Sequence, residues 1–192
     1  MDIAEIVWLH YHALCTGDPD VTARVVAPDH VNHMAIDEPA ACSRPGPAGF
    51  LATSAWLRFA FSELSFEEIH LVTDGRLVCS HVWMRGRHTG PFVVFPPGQE
   101  PAVFPPSSRS FAIRQMHLFH LHDGLTVEHI AVRDDLGMMH QLGFVPPSPR
   151  AMAAIMRWKL SGRARRAVEE VSAAAQRATQ GITAPDAVSP TA

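Results

Sequence analysis

The chain has 192 residues, 47% hydrophobic and 18% charged, with 16 basic and 19 acidic side chains and a formal net charge of −3. That length allows one globular domain with a buried core plus an extension, and the charge balance offers no footprint for nucleic acid or an anionic membrane. There is no apolar run of about 18 residues to span a bilayer. The N-terminus "MDIAEIVWLHYHALC" carries acids rather than the basic start of a signal peptide, so a cytoplasmic protein is expected. Cys15, Cys42 and Cys79 show no paired spacing and read as free thiols.

In chain order, the apolar residues between Ile3 and Leu14 recur at helical spacing. "TGDPD" ends that helix and starts a short second one, because Asp and Pro suit a first turn. "VAPDHVNHMAIDEPAACSRPGPAG" is punctuated by proline and glycine and reads as loop, and "PAGFLATSAWLRFAFSEL" reads as a further helix. After Leu64 the periodicity shifts towards two. Phe66–Thr73, Leu77–His88, Phe111–His122 and Leu125–Val132 are predicted strands, with Asp74-Gly75 and Asp123-Gly124 as hairpin turns. The proline-rich stretch "PFVVFPPGQEPAVFPPSSRS" is confined to loop or edge structure, and could lie over a pocket mouth. Beyond "VPPSP", Ala151–Ala178 reads as helix bent at Gly162. Its residues Ala164, Val168, Val171 and Ala175 form either a narrow partner seam or one side of a surface helix. The expected divisions are a domain over 1–145, a helical extension over 146–180, and a disordered tail over 181–192. Helices first and then an antiparallel meander make an α+β fold, in which a curved sheet closed by helices encloses a cavity.

The chemistry is sought first in "VEHIAVRDDLGMMHQLG", where an apolar run ends in Asp134 and Asp135. If the strand alternates, Ile130, Val132 and Asp134 share the more apolar face, so Asp134 points inward and Asp135 caps the following helix. An inward carboxylate would be desolvated and its pKa raised, as a general acid or base near neutrality needs. The competing possibility is that Asp134 is itself the helix cap. The 12 histidines show no ligand spacing for a metal. His88 lies on the more apolar side of its strand and is expected inside. On Phe111–His122 the odd positions are the more apolar, which favours His117 over His120. Trp8, Tyr11 and Trp56 lie on the long helices, where aromatics serve as core or as pocket wall. No nucleophile elbow, dinucleotide fingerprint or P-loop is present, so neither acyl-enzyme chemistry nor a nucleotide cofactor is expected.

"RPGPAGF", "FSEL", "RGRHTGPF" and "DGLTVEHIAVRDDLGMMHQLG", in that order, resemble the SnoaL-like polyketide cyclases, also called ester cyclases, of the nuclear-transport-factor-2-like superfamily. The resemblance covers about residues 1 to 143. It implies an α+β cone, homodimeric through its sheet, needing no metal or organic cofactor, that closes rings by intramolecular aldol condensation. Its acid/base aspartate falls on Asp134, and its other polar positions fall on His88, His33 and His120. Asp134, His88 and His120 are therefore the expected catalytic set, with His33, Tyr11, Trp56 and His117 contacting a hydrophobic, carbonyl-rich small molecule. Ile130 and Arg87 replace the family's Trp and Thr, so substrate identity does not carry over, and the tail beyond Pro149 has no counterpart in the compact fold. Two alternatives remain: epoxide opening or water addition in the same cone, and a non-catalytic binder or dimerisation module. An Asp134 that proved exposed or tied up as a cap would favour the binder.

Overall fold

The computed structural model describes residues 1–180 and 182; the tail expected to be disordered lies almost wholly outside them. Helix α1 (Ile3–Thr16) is capped by Asp2 and ends at Gly17, and α2 (Pro19–Val25) starts from an Asp18 side chain that accepts two backbone N–H bonds. The next segment, read as loop, contains a strand, β1 (Val26–Asn32), followed by short 3-10 turns at Ala35–Asp37 and Ala40–Ser43. Pro28 disguises β1, but it is an edge strand, where a missing N–H is tolerated. Helix α3 (Gly46–Ala60) stops one turn earlier than its pattern suggests, and β2 (Phe61–Thr73) begins at once.

Three more long strands follow: β3 (Leu77–His88), β6 (Ser110–His122) and β7 (Leu125–Arg133). The curved sheet runs β1-β7-β6-β3-β2, antiparallel throughout except for the parallel β1–β7 pair. Between β3 and β6, the proline-rich stretch forms a small hairpin of β4 (Phe92–Val94) and β5 (Ala102–Phe104). It stands over the concave side, tied to α3 by Trp56 Nε1 donating to the Val93 carbonyl at 2.8 Å. Short α4 (Asp135–Leu142) closes the end of β7, and Gln141 exchanges two hydrogen bonds with the backbone of Ala112 on β6.

The extension is two helices, α5 (Pro149–Leu160) and α6 (Arg163–Ala178), broken at Gly162, whose φ of 72° suits a glycine. The apolar seam of α6 is occupied from within the chain. Ala167, Val171 and Ala175 are buried in the same core cluster as Ala52, Trp56 and Ala60 of α3. Among the described residues, no helix is long and apolar enough to cross a membrane.

Candidate active site

The concave face of the sheet, α3, α4, the β4–β5 hairpin and the first 3-10 turn enclose a cavity of about 280 Å³. Much of its wall is apolar: Trp56 and Leu57 from α3, Phe61 and Phe66 from β2, Phe92 and Phe104 from the hairpin, Met138 and Met139 from α4. Such a surface suits a flat, largely apolar ligand. The polar groups gather on one side: Asn32, Asp37, Glu38, Thr53, Gln115, His117, His129, Arg133 and Asp135.

Strand alternation explains which residues arrive there. On β7 the inward positions are His129, Ala131 and Arg133, whereas Ile130 and Val132 are exposed on the convex face, Val132 at 73%. The more apolar side of this strand is therefore its outside, and a reading that equates apolar with inward inverts it. The inversion corrects the two aspartates. Asp134 is exposed and caps α4, accepting from Gly137 N–H at 2.8 Å. Asp135 reaches the cavity wall, with Oδ2 3.3 Å from Arg133 Nε. Its side chain is half exposed, and partial burial raises the Asp135 pKa from its ordinary value, against the pull of Arg133.

Arg133 is the hub of a charge cluster. Its Nη2 donates to Asp37 Oδ1 at 3.4 Å, its Nη1 lies 4.0 Å from Glu38 Oε1, and its Nε faces Asp135 without a hydrogen bond. Glu38 is 5% exposed, and its Oε2 accepts from Thr53 Oγ1 at 2.6 Å. Burial drives its pKa up to about 7, opposed by the Thr53 hydroxyl and by Arg133. Neither Glu38 nor Arg133 stands out in the sequence. Glu38 lies in a proline-punctuated loop, and Arg133 looks like a charge leaving the end of a strand.

Beside the cluster runs a chain of neutral hydrogen-bonding groups. Asn32 Oδ1 accepts from Met34 N–H and also faces His129 Nδ1 at 3.0 Å, so His129 must donate there. His129 Nε2 is then an acceptor, and His117 Nδ1, 2.8 Å away, donates to it. His117 Nε2 is left as an acceptor 3.0 Å from Gln115 Oε1, and the pair is satisfied once the amide is turned to present its NH2. Both imidazoles are neutral. Burial, reinforced by Arg133, lowers the His117 pKa to about 3, and burial with the neighbouring imidazoles holds His129 well below the usual value. His10 and His30 pack behind this wall, His10 with its ring centroid 6.0 Å from that of His129.

The remaining expected site residues divide. His117 and Trp56 line the cavity. His120 is exposed on the convex face, 3.9 Å from Glu128, because even positions of β6 point outward. His33 is also exposed, and its backbone N–H donates to the His129 carbonyl on β7. His88 is fully buried, as its strand face suggests, but lies outside the cavity lining. Its Nδ1 faces Ser107 Oγ at 3.2 Å and its ring packs against Phe61 and Phe144. Its role there is to anchor the segment that leads into β6. Tyr11 is buried behind the wall, stacked on Phe66 and edge-on to His117. Among the described residues, no group of three or more His, Cys, Asp or Glu side chains is placed to hold a metal ion.

Solved structures with this fold include TsrD from Streptomyces laurentii, 25% identical with a TM-score of 0.59 over 74% of this chain and 98% of that one. IdmH from Streptomyces antibioticus, also 25% identical, matches at 0.57 over 73% and 97%. Among characterised proteins, the aklanonic acid methyl ester cyclase DnrD of Streptomyces peucetius is 32% identical over 135 residues, 70% of this chain and 86% of its own. The nogalonic acid methyl ester cyclase of Streptomyces nogalater is 30% identical over 132 residues, 68% and 90%. Residues 5–142, up to the last residue of α4, take in the sheet, the charge cluster and the hydrogen-bonded histidines but leave out the extension. The model of the SnoaL-like polyketide cyclases matches residues 5–142, and the chain belongs to that family.

Proposed function

We propose that this SnoaL-like cyclase closes a ring in a carbonyl-rich polyketide ester by intramolecular aldol condensation, with Asp135 as the general base. The observation behind this reading is the Asp135 carboxylate, held at the cavity wall beside Arg133 and partly desolvated. Asp135 removes a proton from a carbon acidified by flanking carbonyls. The resulting enolate carbon attacks a second carbonyl of the same molecule, a carbon–carbon bond forms, and the new alkoxide takes up a proton. Arg133 and the Gln115 amide are donors near the developing oxyanion, where preorganised dipoles are worth most. The aromatic wall holds the chain folded, which brings the two reacting carbons together.

The methyl ester cyclases among the relatives make aklanonic and nogalonic acid methyl esters the first substrates to try. The test is turnover of both by the wild type, Asp135→Asn and Asp134→Asn. Loss of turnover in Asp135→Asn alone, with fold and ligand affinity kept, supports the assignment. Loss confined to Asp134→Asn overturns it, and tight binding without turnover by any of the three favours a binding protein. The same reading makes the protein a cytoplasmic homodimer joined through the convex face of the sheet. The exposed Met116, Ile130 and Val132 on that face support the joint.

A further inference from the structure

Three carboxylates meet one guanidinium in this cavity. Were Asp37, Glu38 and Asp135 all ionised, the cluster around Arg133 would carry two uncompensated negative charges in a partly apolar enclosure, an arrangement proteins avoid by keeping a proton. Solvent and geometry decide which carboxyl keeps it. Asp135 is half open to solvent and Asp37 accepts a hydrogen bond from Arg133. The Glu38 side chain is 2% exposed, it accepts from the Thr53 hydroxyl, and its Oε1 is 4.0 Å from the guanidinium, beyond hydrogen-bonding distance.

We infer that Glu38 is a second catalytic carboxyl, the proton donor to the oxygen on which negative charge develops as the ring closes. This rests on the aldol reading above, with Asp135 as the base. The protons balance between the two groups. Asp135 takes the proton from carbon, and Glu38 gives its own to the alkoxide formed when the enolate adds to the carbonyl. The base then releases its proton to solvent on its open side, and Glu38 is reprotonated once the product leaves. Two carboxyls in unlike environments, one ionised and one neutral, share the acid and base work.

The groups that face Glu38 are consistent with a neutral carboxyl. From its own turn comes Asp37, a like charge. From the second 3-10 turn comes Cys42, a buried thiol whose pKa is raised by burial and by Glu38 itself. From α3 comes the Thr53 hydroxyl, from β7 comes Arg133, and from α4 comes Asp135, which shares Arg133 with it. Among these, the Thr53 hydroxyl, Arg133 and the Cys42 thiol favour the charged form, and the desolvation of a buried carboxyl outweighs all three.

The test is the pH dependence of kcat for ring closure of the methyl esters. Wild-type kcat is expected to fall as pH rises through the neutral range, where Glu38 loses its proton. Glu38→Gln keeps the shape and accepts from Thr53 but has no proton to give, so its kcat should drop about a hundredfold, with KM little changed and the alkaline limb gone. Thr53→Val supplies a variant that leaves Glu38 in place. It removes a donor that favours the carboxylate, so the alkaline limb should move to higher pH, whatever the change in maximal kcat. A Glu38→Gln enzyme with wild-type kcat, or a limb that stays put in Thr53→Val, overturns the role of Glu38 while leaving Asp135 as base. A wild type that turns over none of the esters overturns both.

Discussion

Asp135 Oδ2 lies 3.3 Å from Arg133 Nε, while Asp134, the residue between them, turns away to cap α4. Adjacent carboxylates thus serve the site and the scaffold separately, and substitution should separate them. Asp134→Ala should cost about 1 kcal/mol of stability, the usual worth of an N-cap, with kcat unchanged. Asp135→Asn should leave the melting temperature within a few degrees and reduce kcat by about a hundredfold or more. Thermal melts and single-turnover assays on the two variants check both halves.

Acid should unfold the protein well before most carboxylates titrate. His30 and His88 have pKa values lowered to about 4 and His117 to about 3, with His10 and His129 also displaced downwards, in each case chiefly by burial. Between those values and the ordinary imidazole value the unfolded chain binds more protons than the folded one. The stability these residues contribute is therefore complete above about pH 6.5 and is lost as pH falls through 6 towards 4. Glu38 and Asp135, both displaced upwards, work in the opposite direction as pH rises through the carboxyl range, but they are two groups against five. Denaturant midpoints measured from pH 4 to 8 should show this slope, and replacing His30 or His88 with an apolar residue of similar size should flatten it.

The extension should be inseparable from the cavity. Val171 is 1% exposed and packs in the cluster that contains Trp56, a wall residue. Val171→Asp places an unpaired carboxylate in that contact and should cost about 3 kcal/mol or more. Ligand affinity should fall with it, and the oligomeric mass should not change, because the seam is internal. Calorimetry and light scattering on the one variant distinguish these expectations from a seam that serves a partner.

If the convex face of the sheet joins two copies, charge placed there should part them. Val132→Glu and Met116→Lys sit directly opposite each other on β7 and β6. Either alone should lower the dimer fraction at micromolar concentration, with turnover per chain falling only as far as the fold loosens. Sedimentation equilibrium is the measurement, and an unchanged mass in both variants removes the face from consideration as an interface.

Much of the architecture is visible in the sequence because it rests on local signals. Asp-Gly at both hairpins sets the meander, and Asp18-Pro19 starts α2. Gly162 breaks the tail helix where expected, and the proline-rich stretch proves to be the small hairpin over the cavity. The site is harder to read because its signal is inverted. A cavity that holds polar chemistry places His129 and Arg133 inward on β7, and a convex face carrying Ile130 and Val132 looks like core to any rule based on hydrophobic alternation. On β6 the same rule works, since His117 shares its side with the buried Phe119 and Ile113. Glu38 is invisible for another reason. It meets Thr53 of α3 and, 95 positions along the chain, Arg133 at the end of β7, contacts that no local pattern announces.

Asp37 touches the hairpin and the charge cluster at once. Its carbonyl accepts the Phe95 N–H at 2.8 Å, just past β4, while its carboxylate holds Arg133. The segment that shapes the cavity's apolar roof is thereby geared to the guanidinium that sets the balance among the acids. A hairpin lengthened or shortened to admit a different ring system would shift Asp37 and disturb that balance. On the proposed mechanism, substrate range and proton chemistry would change together in this scaffold, and a relative's hairpin would have to be grafted with the Ala35–Asp37 turn.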